Sequence, residues 1–260
     1  MWKQLSLIVL ISVLSISLWA QEKESFAAPA EQPSTFRVGT GAATLFKPYK
    51  GFDRDCFAVP LVFYEDQKLT VFGPMAAYSF FGEENRWAVQ ALARGRFEGY
   101  DSDDSDYLRG MSDRDWSLEL GLRYINDLDF AVMSLDFTHD VLDEHNGYEF
   151  RFTLRKLFRN LLNIKSLNLT PTAGINWRSS DLNTYYYGVR DSEAIAGRPA
   201  YKAGGSVDYL TGAQLTYKLS DQWSLLSIVD VEWLGSEITD SPIVDKDYYA
   251  TLLLGAMVEF

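Results

Sequence analysis

The sequence YYATLLLGAMVEF, residues 248–260, alternates along its length in the way that predicts a β-strand. Every second side chain from Tyr248 to Phe260 is apolar, and the side chains between them are mixed. Because successive side chains of a strand point to opposite faces, one face of this strand is wholly apolar. Such a strand can stand at the end of a chain when it belongs to a closed barrel, where the last strand pairs with the first and leaves no edge.

Four further segments repeat the alternation between apolar and polar side chains. They are WSLELGLRY (116–124), YEFRFTLR (148–155), LNLTPTAGINW (167–177) and WSLLSIVDVEW (223–233). The last begins and ends on tryptophan, and an apolar band of about ten residues between two aromatic side chains is typical of a strand that faces lipid. We therefore predict an all-β fold, a transmembrane antiparallel up-and-down β-barrel. A secreted soluble β-sandwich, which shows the same alternation, is the alternative.

The connections between these strands fall into two classes of length. Residues 65–67, 82–85, 126–128, 158–163 and 220–222 are short, whereas residues 47–55, 100–115, 140–146, 179–205 and 235–247 are long and rich in acidic residues or tyrosine. Outer-membrane barrels have short periplasmic turns and longer outside loops, and a closed single-chain barrel has an even number of strands. Eleven strands are clear. We predict twelve, because Gly73-Pro74 divides residues 67–81 into two strands with a tight outside turn; ten is the alternative.

The N-terminus indicates where this barrel resides. Residues 1–20, MWKQLSLIVLISVLSISLWA, combine one positive charge at Lys3 with an apolar run that ends shortly before Ala20. These are the features of a secretory signal peptide. We predict a signal peptide at residues 1–20, a flexible periplasmic leader at residues 21–34 and the barrel at residues 35–260. The chain is therefore expected in the outer membrane of a Gram-negative cell.

Composition and the few reactive side chains limit the chemistry. A formal net charge of −12 argues against a nucleic-acid partner. The only cysteine is Cys56, so a disulfide framework is excluded. There are only two histidines, His139 and His145, and they lack a second cluster of metal ligands.

One catalytic arrangement is conceivable in the outside loops. His139-Asp140 lies near the predicted outer rim, and Asp103-Asp104 lies in another outside loop, so that a carboxylate pair facing a histidine–aspartate pair would activate water. Acidic residues are abundant in these loops, and an aspartate beside a histidine is expected there by chance. We predict a non-enzymatic protein with no catalytic, cofactor or metal site.

Charged side chains are expected on the inner face of the barrel. The candidate lumen charges are Arg37, Arg94, Arg96, Glu119, Arg123, Glu149, Arg151, Arg155, Asp230 and Glu232. One interpretation is a charged, narrow pore. The other is an interior salt-bridge network that plugs the barrel, and the near balance of the two signs counts against ion selectivity. The sequence favours neither interpretation over the other.

Two further segments are candidate recognition sites. At the C-terminus, Gly255, Val258 and Phe260 look like the terminal aromatic signal by which barrel assembly machinery recognises its clients. The predicted periplasmic turn KLFRNLLNIK (156–165) carries basic and apolar side chains in an otherwise acidic protein, namely Lys156, Leu157, Phe158, Arg159, Leu161 and Leu162. Aromatics and leucines dominate interface energy, while charges steer encounter. The turn is a candidate anchor for a periplasmic partner; an amphipathic turn that rests on the inner leaflet is the alternative.

Several strings along the chain resemble the MltA-interacting protein (MipA)/OmpV family of outer-membrane proteins. They are DRDWSLELGLRY (113–124), HNGYE (145–149), LTPTAGINWRSSDLNTYYYGV (169–189), RPAY (198–201) and ITDSPIVDKDYY (238–249), followed by the terminal phenylalanine. They occur in matching order over essentially the whole chain after the signal peptide. The most specific strings are N-x-YYYGV and DSPIVDK.

The resemblance implies an outer-membrane β-barrel without a defined catalytic residue. A named member of the family is linked to a scaffold that joins a murein-hydrolysing lytic transglycosylase to a bifunctional murein synthase, and other members are described as porin-like or adhesive. We therefore expect a scaffold or adaptor with these two enzymes as partners, besides outer-membrane lipid, lipopolysaccharide and the barrel assembly machinery. A narrow porin-like channel or a surface adhesin is the alternative function.

The motif residues of the family fall in predicted loops. They are Asn183, Tyr185, Tyr186, Tyr187, Gly188, Asp240, Ser241 and Pro242. Tyrosine combines an apolar ring with a polar tip, which suits both membrane interfaces and packed loops. We favour a loop-packing or interfacial role for the three tyrosines over a ligand site.

Overall fold

The computed structural model describes residues 34–52, 54–83 and 86–260, which form a closed β-barrel. Twelve antiparallel strands follow one another around the barrel, and the last pairs with the first. The strands are β1 (Thr35–Phe46), β2 (Asp55–Glu65), β3 (Leu69–Phe72), β4 (Met75–Glu83), β5 (Trp87–Arg96), β6 (Ser117–Asp127), β7 (Val132–Asp140), β8 (Tyr148–Arg155), β9 (Leu167–Arg178), β10 (Ser206–Lys218), β11 (Trp223–Trp233) and β12 (Tyr248–Glu259). The prediction of an up-and-down barrel with twelve strands is confirmed, and the ten-strand and soluble-sandwich alternatives are wrong.

The two faces of each strand follow the alternation of the sequence. On β6, Leu120 and Leu122 are exposed on the outer surface, whereas Glu119 and Arg123 are buried in the lumen. Apolar side chains face outward because the hydrocarbon core of a membrane offers polar groups no hydrogen-bond partners. Exposed aromatic side chains flank this band, with Tyr148, Trp177, Tyr209 and Trp233 toward the outer end and Phe36, Tyr217, Trp223 and Phe260 toward the periplasmic end.

Short turns connect the strands at one end of the barrel, and longer loops connect them at the other. The periplasmic turns include residues 66–68, 128–131, 156–166 and 219–222, and the outer loops are residues 47–54, 97–116, 141–147, 179–205 and 234–247. This distribution agrees with the predicted one. The predicted signal peptide at residues 1–20, and all but the last residue of the predicted leader at 21–34, lie outside the described residues.

The breaker pair Gly73-Pro74 separates β3 from β4, as an even strand count requires. This turn lies closer to the periplasmic end of the barrel than expected for an outside turn, because the Gly73 N–H donates to the Val62 carbonyl partway along β2. The seven residues 55–61 of β2 lie beyond this bond toward the outside.

Two α-helices lie within the described outer loops. Helix α1 (Ser180–Tyr187) is capped by the Ser179 side chain, which accepts a hydrogen bond from the Leu182 N–H. Helix α2 (Ser236–Thr239) is a single turn. No helix among the described residues is both long and apolar enough to cross a membrane.

Candidate functional site

Arginines and glutamates from neighbouring strands meet in the outer half of the lumen. Arg94 and Arg96 on β5 lie beside Glu119 on β6 and Glu149 on β8. Arg94 Nη2 is 2.7 Å from Glu149 Oε1, and Arg96 Nε is 2.6 Å from Glu119 Oε1. All four side chains are almost wholly buried. Each carboxylate faces both guanidinium groups, and these bonds offset the cost of removing the charges from water.

Arg178 on β9 extends these contacts to the far side of the lumen. Its Nε lies 2.7 Å from Asp208 Oδ2, and its Nη1 lies 2.5 Å from Glu98 Oε2. Its Nη2 contacts Glu232 on β11. Paired side chains therefore cross the barrel from β5 to β11. The lumen network consists of Arg94, Arg96, Glu98, Glu119, Glu149, Arg151, Arg178, Asp208 and Glu232.

All ten predicted lumen charges lie on the inner face of the barrel. Six of them, Arg94, Arg96, Glu119, Glu149, Arg151 and Glu232, belong to the lumen network. Arg123 makes a bidentate pair with Asp136, with both N–O distances 2.7 Å. Arg37 pairs with Glu259 at the periplasmic end, and Arg155 interacts electrostatically with Asp230.

Three members of the lumen network were not predicted from the sequence. Arg178 is the last residue of β9, Glu98 follows the end of β5, and Asp208 is the third residue of β10. Each continues the two-residue spacing of the inward side chains of its own strand. Extending this two-residue spacing beyond the clear alternation of each strand would have identified all three residues.

The other half of the lumen is apolar, and this was not predicted from the sequence. Strands β1, β2, β3, β11 and β12 contribute an inner apolar cluster of Ala43, Leu45, Val59, Leu61, Phe63, Phe72, Leu226, Ile228, Leu253 and Met257. On these strands both faces are largely apolar, so the alternation does not reveal which face is inside. The lumen thus has a charged wall opposite an apolar wall.

The long loops build a second core above the barrel mouth. This outer cap consists of Tyr49, Phe52, Tyr100, Leu108, Met111, Leu182, Tyr186, Tyr187, Val189, Leu234, Ile238, Ile243 and Val244. The Tyr49 ring meets Tyr100 edge-on with centroids 4.7 Å apart, and it stacks on Tyr187 at 5.7 Å. Apolar burial of this kind is the main stabilising term of a packed core. The cap ties four outer loops together over the lumen network.

The family motif residues lie in and around this cap. Asn183 Nδ2 donates to the Gly204 carbonyl at 2.8 Å and to Ser206 Oγ at 3.0 Å. The Tyr187 hydroxyl donates to Glu98 Oε2 at 3.0 Å, which joins the cap to the lumen network. Burial raises the pKa of the Tyr187 hydroxyl, so it remains a neutral donor.

The remaining motif positions are tied to the same core. A Cβ on Gly188 would lie 2.3 Å from the Thr184 carbonyl oxygen, so a larger residue would clash there. Ser241 Oγ donates to the Tyr187 carbonyl at 2.6 Å. Asp240 ends α2, and Pro242 precedes the buried Ile243. Tyr185 lies at the edge of the cap, where its hydroxyl donates to Glu144 Oε2 at 3.0 Å.

Asp140 and Asp104, two members of the conceivable hydrolytic set, have structural partners. The Asp140 carboxylate accepts hydrogen bonds from Ser117 Oγ at 2.8 Å and from the backbone N–H groups of Leu142, His145 and Asn146. Asp104 accepts a bond from the Asp101 N–H within its own loop. Within the described ranges no three His, Cys, Asp or Glu side chains converge as metal ligands do.

A cavity of about 640 Å³ opens on the outer surface beside helix α1. Its lining includes His145, Asp181, Tyr185, Arg190, Tyr201 and Lys202. His145 Nδ1 accepts a hydrogen bond from the Gly147 N–H at 3.0 Å, and its Nε2 lies 3.5 Å from Glu119 Oε1 in the lumen network. The cavity therefore presents both charges and two tyrosines to the outside.

The predicted recognition segments lie at the periplasmic end. Gly255 pairs with Gly41 and faces the inner apolar cluster, where a Cβ would lie 2.5 Å from Leu61 Cδ1. Val258 pairs with Val38 and with Trp223. Phe260 follows β12 and donates its N–H to the Phe36 carbonyl at 3.0 Å. The other segment, Lys156, Leu157, Phe158, Arg159, Leu161 and Leu162, lies in the turn 156–166 between β8 and β9.

The salt bridge between Glu193 and Arg114 gives the outer cap a pH dependence. Burial disfavours ionisation of the Glu193 carboxyl, but hydrogen bonds from Arg114 and from the Arg190 and Ser112 backbone N–H groups outweigh it and lower the pKa to about 2. A lowered pKa contributes stability above the ordinary glutamate value of about 4.3, and this contribution is lost as the pH falls toward 2.

We therefore expect acid to loosen the contact between loops 97–116 and 179–205. The measurement is hydrogen exchange at the Ser112 and Arg190 amides from pH 5 to pH 2, corrected for the intrinsic pH dependence of exchange. Protection should fall with pH in the native protein. The Glu193→Gln variant, which has no carboxyl to titrate, should show weaker protection throughout that changes little over this range. The same pH profile in both proteins would contradict the assignment.

A family model described as MltA-interacting protein MipA matches residues 38–260. Outer membrane protein Omp26La of Vibrio anguillarum is 38% identical over 170 residues, and outer membrane protein OmpV of Vibrio cholerae is 36% identical over 170 residues. Each of these alignments covers 65% of this chain and 65% of the relative, so the chain matches about two thirds of their length.

A third relative aligns over nearly its full length. MltA-interacting protein of Escherichia coli (strain K12) is 27% identical over 237 residues, which is 90% of this chain and 94% of that protein. Among solved structures, a Pseudomonas aeruginosa FadL homologue covers 86% of this chain and 90% of its own at 8% identity, with a TM-score of 0.40.

Proposed function

Because this chain belongs to the MltA-interacting protein MipA family of outer-membrane barrels, we propose that it is a non-enzymatic scaffold that holds murein-synthesising and murein-hydrolysing enzymes at the inner face of the outer membrane. A relative is named MltA-interacting protein. For this chain we propose a lytic transglycosylase as one of the partners. A partner in the murein layer reaches the barrel from the periplasm. The observation that carries the proposal is the character of the periplasmic turn 156–166.

This turn displays apolar side chains that the barrel does not bury. Leu162 is 80% exposed, and Phe158 and Ile164 are also exposed. Leu162 adopts a φ of 55°, which is unfavourable for a bulky residue and holds its side chain away from the strands. The backbone of Phe158 is fixed by two hydrogen bonds with Leu169, of 2.8 and 2.9 Å. The turn therefore presents an ordered apolar tip.

Basic side chains surround that tip. Lys156, Arg159 and Lys165 are exposed, and Lys156 Nζ lies 5.4 Å from the centre of the Phe158 ring. An apolar anchor supplies most of the binding energy of a typical interface, whereas charges at its rim steer encounter with an acidic surface. The combination supports a docking site for a protein with an acidic rim around an apolar pocket.

The two alternative functions find less support. An open channel requires a continuous aqueous path, but the lumen network and the outer cap lie across the outer half of the barrel. An adhesin requires an exposed outer binding surface, and the mixed-charge cavity beside α1 is the feature that favours this candidate. Neither alternative uses the apolar tip of turn 156–166.

Photocrosslinking in cells tests the scaffold. A photoreactive residue at position 158 is expected to capture a murein synthase or a lytic transglycosylase, because Phe158 stands at the centre of the proposed docking site. The matched control is position 130, an exposed phenylalanine in another periplasmic turn, and position 107, an exposed tyrosine in an outer loop, is the control for the opposite side.

The pattern of capture separates the interpretations of the turn. Capture of the enzyme at position 158 but not at positions 130 and 107 supports the scaffold. Capture of lipid alone at both periplasmic positions would show that the turn rests on the inner leaflet, and the scaffold proposal would then be wrong.

A further inference from the structure

The barrel wall is incomplete between β2 and β5. Strand β3 has only four residues, and it pairs with β2 at three positions, from Glu65–Thr70 to Phe63–Phe72. The last bond of this ladder joins the Gly73 N–H to the Val62 carbonyl at 3.1 Å. No described strand pairs with residues 55–61 of β2 on this side.

The far rim of the gap is β5. The β4–β5 ladder ends at Met75–Arg94, and the Pro74 carbonyl accepts a hydrogen bond from the Gly95 N–H at 3.0 Å. Above the Gly73-Pro74 turn, no described strand lies between β2 and β5, so β2 has an unpaired edge there.

The opening lies at the depth of the hydrocarbon core. Ala58 on β2 pairs with Ala42 on β1, and Ala42 pairs on its other side with Leu254. Leu254 is exposed to the outside and lies midway along the chain between the aromatic residues Tyr248 and Phe260. An open strand edge at this depth is costly, because lipid offers no partners to backbone N–H and C=O groups.

The chemistry of the edge reduces that cost. Because the Val62 carbonyl points toward β3, the backbone groups of Pro60, two residues away, point into the opening. Proline has no backbone N–H, so this edge has one fewer hydrogen-bond donor that lipid would leave without an acceptor. A proline at an edge also prevents another strand from adding there. The edge is therefore suited to lipid and not to a β-strand of a partner protein.

The side chains around the opening are small or apolar. On the outer face of β2 they are Ala58, Pro60 and Val62, and on its inner face Val59 and Leu61 begin the inner apolar cluster. At the opposite rim a Cβ on Gly95 would lie 2.5 Å from Phe97 Cζ, and the Phe97 ring stacks on Trp116 at 6.1 Å. Val59 and Leu61 are only 3% and 1% exposed, so Ala58, Pro60 and Val62 form the apolar surface that lipid reaches at this edge.

We propose that this edge binds an acyl chain of lipid A, the membrane anchor of lipopolysaccharide, with the chain lying along the unpaired part of β2 against Ala58, Pro60 and Val62. The opening faces the outer leaflet, where this lipid resides. The loop 47–54 leads directly into β2 and carries Lys50 and the exposed Arg54, and positive charge there complements the phosphates of lipid A. This site is independent of the scaffold role of the periplasmic turn.

Tryptophan substitutions at two paired positions test the site. Ala58→Trp places a large ring at the open edge, and Ala42→Trp places the same ring directly across the ladder, on a strand that is paired on both sides. The full-length protein is extracted from outer membranes, exchanged thoroughly into detergent and examined by native mass spectrometry. The native protein and Ala42→Trp should retain one lipid A.

Ala58→Trp should lower the retained fraction by about tenfold, the effect expected when about two methylene groups lose their contacts. Gel mobility with and without boiling confirms that each variant is folded. Absence of lipid from the native protein, retention of phospholipid in place of lipid A, or equal retention in the two variants would overturn the proposal.

A second measurement does not depend on the folding of a variant. Cys56 is the only cysteine of the chain and is exposed at the outer end of the same edge, so a nitroxide attaches there without mutation. Adding lipid A to the delipidated protein should slow the motion of this label in the electron spin resonance spectrum, whereas adding phosphatidylethanolamine should not. An unchanged spectrum with lipid A would likewise refute the site.

Discussion

Replacing Glu149 with alanine is expected to lower the free energy of unfolding by about 3–5 kcal/mol, the cost of removing one partner from a buried ion pair. Glu149 accepts hydrogen bonds from Arg94 at 2.7 Å, from Arg96 at 2.6 Å and from Asn176 Nδ2 at 3.0 Å. Its Oε1 also lies 3.2 Å from Arg151 Nε. Without this carboxylate, Arg94, Arg96 and Arg151 would each lose a buried ion-pair partner.

The measurement is guanidinium unfolding of the detergent-solubilised barrel, followed by tryptophan fluorescence. The matched control is Arg86→Ala, which removes an ion pair of similar length, 3.1 Å to Asp129, at an exposed turn. Exposed pairs contribute little, so the control should unfold close to the native midpoint. Glu149→Gln, which keeps the shape and one acceptor oxygen, should fall between the two. Equal midpoints for Glu149→Ala and Arg86→Ala would show that the lumen network does not stabilise the barrel.

Planar-bilayer recordings of the same proteins add a second readout. If the lumen network closes the barrel, the native protein should be electrically silent, and Glu149→Ala should show intermittent conductance as the arginines that lose this partner move apart. Steady single-barrel conductance of the native protein would favour the channel function over the scaffold.

The strands of the barrel were predictable because the patterns that identify them lie within short segments of the sequence. Alternation with a period of two identifies strands such as WSLELGLRY, and the contrast between short and long connections assigns the two ends. The pair Gly73-Pro74 then settled the strand count, because breaker residues act on their own segment. Each of these signals lies within about twenty residues of the element it predicts.

The interior was less predictable because its contacts join distant parts of the chain. Arg178 contacts Glu98, 80 residues earlier, and Glu232, 54 residues later, and the sequence states neither pairing. The apolar wall was hidden because β11 and β12 carry apolar side chains on both faces. The gap above β3 follows from the register of Gly73 against Val62, a relation between strands that no single segment encodes.

Changing Phe260 to aspartate is expected to remove most of the assembled protein from the outer membrane. Phe260 is 77% exposed, and its ring touches the barrel mainly at Phe36, with centroids 6.2 Å apart. The backbone bond from its N–H to the Phe36 carbonyl does not depend on the side chain. The packing of the ring therefore contributes little to the stability of the finished barrel. A large loss of assembled protein on substitution would have to arise during assembly.

Trp223→Asp separates recognition of the chain end from the cost of a charge in lipid. Trp223 pairs with Val258 on the neighbouring strand and is an exposed aromatic at the same periplasmic end, so an aspartate there meets a similar membrane interface, where a carboxylate costs little. Surface levels measured by immunoblotting of outer-membrane fractions should fall sharply for Phe260→Asp, fall only slightly for Trp223→Asp and remain normal for Phe260→Tyr. Equal losses for the two aspartate variants would assign the effect to lipid contact. Normal levels of Phe260→Asp would count against both explanations, because the terminal ring would then be required neither for recognition nor for closing the seam between β1 and β12.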